Sequence, residues 1–194
     1  MDSRITELHC IMPMDNAPSV LQHGILSYER AEALLHHSVA MPEVQERRDH
    51  KQVPGGLRLH QYANLYFHAR NPMLFKRLDQ AAALCVMRVD RDVMRLPGVV
   101  LSDQNAASDY ARFRAFGQIS EIDMDRVYAA DWRHQDLIAY YRQKAAKCAE
   151  VLVPGRVEPR FLIGAHVVDV AAGQRLSALR FSLPVSVTPS LFFR

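Results

Sequence analysis

Residues 60–75 read HQYANLYFHARNPMLF and combine a strand with the start of a helix. Residues 62–67 are mostly aromatic or apolar, which favours a strand. Asn71 and Pro72 then predict a short helical turn, because asparagine caps a first turn and proline is tolerated within it. The fold class depends on what flanks this unit.

The flanking segments predict an α+β domain. Residues 7–12 read as a strand, and a helix follows with Asn16 as its N-cap and Gly24 just beyond its end. Residues 40–59 are polar and contain Pro-Gly-Gly, which predicts a long irregular segment, and such segments are often functional. Short strands, with helices concentrated in the first two-thirds, favour α+β over a doubly wound sheet. The other predicted strands are 83–89, 99–101, 148–153, 161–170 and 183–188, and the other predicted helices are 29–36, 108–116, 135–146 and 171–179.

Length and composition predict a single cytoplasmic domain. The 194 residues are 49% hydrophobic, which suffices for one buried core, and no linker or repeat divides residues 1–194. No apolar stretch approaches the ~20 residues needed to span a bilayer. The first ten residues, MDSRITELHC, carry charges where a signal peptide needs an apolar run. We therefore expect a cytoplasmic protein that does not contact a membrane.

Cysteine and histidine spacing predicts no metal site. The three cysteines form no CxxC pair, and the nine histidines form no HExxH motif. The net charge of +3 permits a nucleic-acid partner without requiring one, since the clustering of basic residues matters more for such binding than the net charge. Basic clusters occur at residues 47–51 and 142–147, and each is also compatible with an ordinary solvated face.

Glu150 and Arg48 are the candidate catalytic residues. Glu150 lies in CAEVLV, residues 148–153, where a carboxylate is either on a solvated strand edge or pointed into a cleft. Arg48 lies in ERRDHKQVPGG, residues 46–56. This segment is either a flexible basic loop or a device that holds a guanidinium near an anionic or carbonyl group. The residues alone leave both alternatives open.

The aromatic strand is a third candidate region. By the two-residue period of a strand, Tyr62 and Tyr66 share one face, and Arg70 follows closely. Such rings can form a platform for a nicotinamide or an unstacked base, or they can simply be core residues. The sequence contains neither GxGxxG nor GxxxxGK[ST], so a dinucleotide bound here would not use the Rossmann or P-loop devices.

Five segments together resemble the DarT toxin family. In chain order they read LHCIMPMDNAPSVLQHGILS, ERRDHKQVPGG, YFHARNPMLF, LSDQNAASDYARF and KAAKCAEVLV. The similarity covers most of the chain, and its most specific parts are the N-PML block and the AE-LV strand. The DarT toxins are DNA ADP-ribosyltransferases, generally paired with a macrodomain antitoxin called DarG. The resemblance implies an ADP-ribosyltransferase-like fold with a central split β-sheet and flanking helices.

The resemblance also implies roles for residues at an NAD site. Glu150 matches the catalytic glutamate of the family, and Arg48 matches the loop arginine implicated in catalysis. His9, Asn16, Arg48 and Tyr66 match positions that hold NAD or flank its nicotinamide. In this chain the spacing from His9 to Asn16 is one residue longer than the family pattern.

DNA contacts are predicted at four further positions. Arg70 and Met73 match the family motif near the bound base. Arg112 and Lys147 are basic residues that could hold backbone phosphates, which would make DNA affinity depend on salt. Arg112 can equally be a charge on a helix surface.

The implied activity is the NAD-dependent transfer of ADP-ribose to thymidine or guanosine of single-stranded DNA, a glycosyltransferase reaction of the pentosyl class. Positive charge develops on the ribose as nicotinamide leaves, and a nearby carboxylate can stabilise it. A target base must leave the stack to be reached, which favours single strands. The alternatives are a transferase acting on RNA or protein and a non-catalytic module that binds NAD or nucleic acid.

Overall fold

The computed structural model describes residues 2–39 and 41–194. Met1, the first residue of the predicted domain, and Ala40, the first residue of the predicted irregular segment, lie outside the described residues. The strands are β1 (Glu7–Pro13), β2 (Ile25–Leu26), β3 (Tyr62–Tyr66), β4 (Leu84–Asp90), β5 (Val100–Ser102), β6 (Phe113–Arg114), β7 (Glu150–Pro154), β8 (Arg156–Val157), β9 (Leu162–Val167) and β10 (Val185–Val187). The α-helices are α1 (Ala17–His23), α2 (Tyr28–Ala31), α3 (Pro42–Asp49), α4 (Pro72–Phe75), α5 (Met124–Tyr128), α6 (Leu137–Ala146) and α7 (Val170–Ala178).

One mixed sheet organises the described part of the chain. Its eight strands follow the order β10-β9-β4-β1-β3-β7-β5-β6, and β2 and β8 form a separate pair. β9 and β10 run parallel, whereas the other neighbouring strands with a described register are antiparallel. Helices flank this sheet, so the prediction of an α+β fold is confirmed.

The sheet is split between β1 and β3. β1 pairs with β4 along its whole length, and β3 does the same with β7. Between β1 and β3, by contrast, the described register consists of the single pair His9 and Tyr66. Because backbone pairing does not hold the rest of these two strands together, a gap opens between them. The predicted split sheet is therefore confirmed.

Most predicted helices and strands are confirmed with shifted ends, but the predictions for two segments, residues 40–59 and 108–116, are wrong. Residues 40–59 contain α3, which Pro42 opens and whose single buried residue is Arg48. A helix that buries only an arginine shows no apolar periodicity, which is the signal used to predict helices. Residues 108–116 form turns and β6 instead of a helix. The backbone N–H of Arg112 donates to Asp103, and Phe113 and Arg114 pair with β5.

No helix in residues 2–39 and 41–194 has the length and apolar character needed to cross a membrane.

Asn71 is expected to stabilise the turn between β3 and α4. Its buried side chain accepts hydrogen bonds from the backbone of Met73 and Leu74, at 3.0 and 3.1 Å, and donates to the carbonyl of His68 at 3.1 Å. Asn71→Ala should lower the free energy of unfolding by roughly 2 kcal/mol, because it removes a helix cap and leaves the partly buried carbonyl of His68 without this donor. Urea unfolding measures the change. Asn71→Ser should recover part of it by restoring a cap, and equal stability of all three proteins would contradict the prediction.

Candidate active site

The split in the sheet holds a cleft of about 530 Å³. This volume lies in the range of small-molecule and cofactor sites. Strands β1 and β3 form its floor, α3 and α6 border it, and residues 34–39 lie along one side. The lining residues include Cys10, Asn16, His37, Val39, Arg47, Arg48, Tyr66, Met73, Lys76, Tyr141, Lys144 and Cys148.

A buried ion pair lies directly behind the cleft wall. The Arg48 guanidinium donates to the Glu150 carboxylate at 3.1 and 3.4 Å, and the backbone N–H of Ala106 donates to the same carboxylate at 3.2 Å. Glu150 is fully buried, whereas Arg48 lines the cleft. Of the two sequence interpretations of Glu150, the structure excludes the solvated edge, and it places the carboxylate behind Arg48 and not on the surface of the cleft itself. Arg48 lies in the last turn of α3, so it is held by a helix and not by a flexible loop.

Tyr66 completes the wall beside this pair. It lies directly opposite Glu150 in the pairing of β3 with β7, and it lines the cleft. Burial raises the pKa of the Tyr66 hydroxyl well above its usual value, and the Glu150 carboxylate raises it further. The hydroxyl therefore stays protonated at neutral pH and can donate a hydrogen bond. Burial also raises the pKa of the neighbouring Cys148 to about 12, so its thiol is a poor nucleophile.

Asn16 shapes the cleft by holding one side of it. Its side-chain amide donates to the carbonyl of His37 at 2.7 Å and accepts from the N–H of His37 at 3.0 Å. The prediction that Asn16 opens the helix is confirmed for its position, but its side chain makes no cap hydrogen bond. Arg77 holds the same side through the carbonyl of Val39, at 2.8 and 3.0 Å.

The cleft is electropositive. Arg47, Arg48, Lys76 and Lys144 line it, and no Asp or Glu occurs among the described lining residues. A site with several cations and aromatic rings but no lining carboxylate favours an anionic ligand that carries flat rings.

His9 is not brought into the cleft. Its imidazole donates to the carboxylate of Glu7 at 3.2 Å and packs near the rings of His68 and His166. Cys10 lines the cleft in its place. The geometry does not support the predicted contact of His9 with NAD.

Two of the predicted DNA contacts lie at or near α4. Met73 lines the cleft. The Arg70 guanidinium donates to the carbonyls of Ala130 and Ser190 and lies 4.1 Å from the ring centre of Phe193. Arg70 thus holds the C-terminal segment in place, and these contacts occupy the side chain that was predicted to face DNA.

The prediction that Lys147 contacts DNA phosphates is wrong. Its side chain is fully buried, and its ammonium donates to the carbonyls of Val127 and Ala129 at 3.1 and 2.7 Å and lies 3.3 Å from Nδ1 of His68. Burial lowers the pKa of Lys147 to about 8 and, together with the charge of Lys147, that of His68 to about 3. The sequence pattern could not show this, because lysine is rarely buried.

The buried ammonium predicts a specific pH dependence of stability. Because the pKa of Lys147 is about 8 in the folded protein against a usual value of 10.5, the unfolded chain binds more protons between these pH values. The contribution of Lys147 to stability therefore rises from pH 8 to pH 10.5. Urea unfolding of the wild type and Lys147→Met at several pH values measures it. From pH 8 to pH 10.5, the free energy of unfolding of the wild type should rise relative to that of Lys147→Met. A difference that stays constant over this pH range would contradict the lowered pKa of Lys147.

Arg112 stays a prediction as a DNA contact. It is exposed immediately before β6 and is not among the cleft-lining residues. Its backbone N–H donates to Asp103 at 2.9 Å.

A second polar group, formed by Glu7, His9 and His166, was not predicted. Their ligand atoms lie within 4.8 Å of one another, as a metal site would require. However, Arg88 donates to the same Glu7 carboxylate at 2.7 Å, and its charge opposes a cation. Nδ1 of His9 is buried without a hydrogen-bond partner among the described residues, and it would have to carry a proton if Nε2 bound a metal. The group is better explained as a hydrogen-bonded cluster.

Sequence reasoning missed most of the residues that line the cleft, and Cys10, Lys76 and Tyr141 are among them. One signal could have found Tyr141. It precedes Ala145 and Cys148 by four and seven residues, which is the spacing of one helix face that leads toward Glu150.

Comparisons with known proteins agree with this geometry. Residues 9–193 match the family model described as "ssDNA thymidine ADP-ribosyltransferase, DarT". A "DNA ADP-ribosyl transferase-DNA ADP-ribosyl glycohydrolase fusion protein" from Thermosipho africanus (strain H17ap60334) is 31% identical over 208 residues. The similarity includes 100% of this chain and 51% of that protein, so the chain spans about half the length of this relative.

Solved structures are similar as well. The structure titled "Thermosipho africanus DarTG in complex with ADP-ribose" has a TM-score of 0.84 at 29% identity, over 96% of this chain and 51% of the other. The structure titled "Thermus sp. 2.9 DarT in complex with ADP-ribosylated ssDNA" has a TM-score of 0.83 over 96% of each chain. Its identity is 21%, so this second likeness supports the fold alone. The match of the family model to nearly the whole chain, on a split sheet that brings Arg48 and Glu150 together, shows that this protein belongs to the DarT family.

Proposed function

We propose that this protein transfers ADP-ribose from NAD to a base of single-stranded DNA, with thymidine as the acceptor. The observation that carries the proposal is the buried Arg48–Glu150 pair behind the wall of an electropositive cleft. Burying an ion pair costs free energy through the desolvation of both charges. A catalytic role of the carboxylate would explain why the protein contains such a pair. A carboxylate next to a site for an anionic dinucleotide can take that role. The family match and the relative named as a DNA ADP-ribosyl transferase support the same activity.

The proposed roles follow from where each group lies. Positive charge develops on the ribose as the bond to nicotinamide breaks, and the Glu150 carboxylate stabilises it. Arg48 lines the cleft in front of Glu150, so we propose that its guanidinium turns toward the substrate and exposes the carboxylate. Its pKa above ~12 makes arginine a poor proton acceptor, so Glu150 takes the proton of the attacking base. Tyr66 donates a hydrogen bond beside this site.

The proposed biological setting has three parts. First, residues 1–194 act as one ADP-ribosyltransferase domain, which the eight-stranded sheet supports because it combines strands from both ends of the described chain. Second, the protein is the toxin of a toxin–antitoxin pair and has a macrodomain partner of the DarG type. The fusion of a transferase with a glycohydrolase in the Thermosipho relative supports this pairing. Third, the protein acts in the cytoplasm, where a DNA-modifying enzyme has access to both substrates.

Incubation with NAD and single-stranded oligonucleotides of varied sequence tests the activity. We expect a mass increase of one ADP-ribose unit on the DNA and an equal amount of released nicotinamide. Oligonucleotides without thymidine should stay unmodified, and the same sequence in a duplex should react much less.

The controls separate the alternatives. Modification of RNA or of the protein, with DNA unmodified, would replace the proposed acceptor. Modification only at guanosine would replace the proposed base. Binding of NAD without transfer to any acceptor would contradict the proposal and favour a non-catalytic module.

A further inference from the structure

The loop that follows β5 provides a second donor to the Glu150 carboxylate. Ser102, the last residue of β5, lies directly opposite Glu150 in the pairing of β5 with β7. The chain then turns, and the backbone N–H of Ala106 donates to Oε1 of the carboxylate at 3.2 Å. Ala106 is fully buried, so this hydrogen bond is made away from water. We call residues 102–108 the carboxylate loop.

This donor differs from Arg48 in what it can do during the reaction. Arg48 lines the cleft in front of Glu150, and the proposed mechanism turns its guanidinium toward the substrate. The Ala106 N–H belongs to the backbone and cannot turn away in the same manner. Once Arg48 has turned, Ala106 is the remaining one of the donors described for the carboxylate. The direction of this N–H therefore controls where the carboxylate lies when charge develops on the ribose.

Asn105 fixes the direction of the Ala106 N–H through two hydrogen bonds. Its side-chain oxygen accepts from the N–H of Ala107 at 2.9 Å, which forms a turn around Ala106. Its carbonyl accepts from the N–H of Ser108 at 2.9 Å. This carbonyl and the Ala106 N–H belong to one planar trans peptide group and point in opposite directions, so fixing one of them fixes the other.

Ser102 and Lys51 anchor the two ends of the carboxylate loop. Ser102 is fully buried, and its hydroxyl donates to the carbonyl of Gln104 at 2.7 Å. At the other end, the Lys51 ammonium donates to the carbonyl of Ser108, and the side-chain amide of Gln104 donates to the Ser108 hydroxyl at 3.3 Å. The backbone N–H of Lys51 donates in turn to the carbonyl of Arg48 at 3.2 Å. Both donors to the carboxylate thus belong to one hydrogen-bonded framework.

We propose that Ser102 and Asn105 are positioning residues, which direct the Ala106 N–H toward Glu150 and so hold the carboxylate in place when Arg48 turns to the substrate. This inference rests on the proposed function, because it requires Glu150 to stabilise the charge on the ribose. Neither side chain takes part in the chemical step. Ser102 is fully buried, and the side-chain oxygen of Asn105, which lines the cleft, is bound to the N–H of Ala107.

Single-turnover rates of ADP-ribose transfer at saturating NAD and oligonucleotide provide the first test, with the full chain. Asn105→Ala and Ser102→Ala should each lower the rate by about 10-fold or more, because a small misplacement of a catalytic group has effects of this size. In steady-state kinetics the KM for NAD should change by less than about twofold, because neither residue contributes binding energy.

Conservative variants and a matched control complete this test. Asn105→Ser keeps an oxygen that can accept from the N–H of Ala107, and Ser102→Thr keeps the hydroxyl, so each should recover much of the lost rate. Asp90→Ala is the control, since Asp90 accepts from the backbone N–H of Asp92 at 2.9 Å in the same kind of turn and does not line the cleft. It should retain the wild-type rate. Urea unfolding identifies any variant whose rate falls because it is unfolded, and Asn105→Ala then decides the test if Ser102→Ala does not fold.

A double-mutant cycle with Glu150→Gln gives a sharper test. If Asn105 acts through the carboxylate, Asn105→Ala should lower the rate of the wild type but not the residual rate of Glu150→Gln. A side chain that binds NAD or the acceptor base would instead lower the rate by the same factor in both proteins. Equal factors would therefore overturn the inference.

The outcomes separate this inference from the proposed function. If the wild type modifies DNA while Asn105→Ala and Ser102→Ala retain its rate, the inference is overturned, because Glu150 then works without help from the carboxylate loop. A higher KM for NAD with an unchanged rate at saturation would overturn it as well, and would make Asn105 a binding residue. If the wild type modifies no DNA and releases no nicotinamide, the proposed function itself fails, whatever the loop variants do.

Discussion

Glu150→Gln is expected to lower the rate of ADP-ribose transfer by about 1,000-fold, the effect of removing a preorganised charge from a site where charge develops. Glutamine has the same size as glutamate and can still accept a hydrogen bond from Arg48 and from the N–H of Ala106, so the site keeps its shape. It loses the negative charge that stabilises the ribose and accepts the proton. Mass spectrometry of an oligonucleotide under single-turnover conditions measures the rate, and NAD binding measured separately should change little.

Glu158→Gln is the matched control for this variant. Glu158 is paired with Arg160 on the surface at 3.0 Å, and its side chain is 45% exposed. It should therefore retain the wild-type rate. A fully active Glu150→Gln protein would remove Glu150 from the catalytic role. An alanine at this position is less informative, because it leaves the guanidinium of Arg48 buried without a partner and confounds activity with folding.

Arg48→Ala is expected to lower the free energy of unfolding by about 3–5 kcal/mol, the effect of leaving a buried carboxylate without its partner. Glu150 is fully buried, and Arg48 provides two of the three hydrogen bonds described for its carboxylate. The one remaining donor is the N–H of Ala106, which cannot compensate for the lost charge. Urea unfolding of the wild type and the variant measures this difference.

A double-mutant cycle separates the ion pair from the rest of the site. Arg48→Ala combined with Glu150→Ala should be less destabilised than the sum of the two single variants, because no buried charge is left unpaired. Arg47→Ala is the matched control, since Arg47 is its exposed neighbour on α3 and should change stability by less than about 0.5 kcal/mol. Additive losses in the cycle would mean that the pair contributes little to stability. A small effect of Arg48→Ala alone would contradict the prediction.

Several features of this protein are determined locally and could be predicted from the sequence. Asn71 caps the turn that follows the aromatic strand, as its place before proline and two apolar residues indicates. Gly24 ends α1 with a φ of 82°, a conformation that glycine adopts without strain. The strand that begins at Glu150 was predicted from its run of apolar residues. Each of these features depends on residues within one turn or one strand, so a short window contains the necessary information.

The five segments that resemble the DarT family, taken in their order along the chain, also identified the family before the fold was known. It correctly associated Arg48 with Glu150, although the residues themselves left both open to a structural explanation. The roles that the family pattern assigns to His9 and Arg70 stay predictions, and the structure gives both side chains, like the buried Lys147, partners within the protein. Glu7 of the same strand binds His9, the C-terminal segment binds Arg70, and the carbonyls of Val127 and Ala129 bind Lys147.

The remaining features depend on contacts between distant parts of the chain. Arg48 and Glu150 are 102 positions apart, and they meet because the last turn of α3 brings the Arg48 side chain to the first residue of β7. The burial of Lys147 depends on the carbonyls of Val127 and Ala129, which a separate helix presents. The amino-acid sequence by itself determined most of the longer strands, the Asn71 cap and the family. Only the tertiary structure decided that Glu150 is buried behind a cleft, that Cys10 and not His9 lines this cleft, and that α6 borders it. These features depend on which distant segments pack together, and a local sequence pattern does not contain that information.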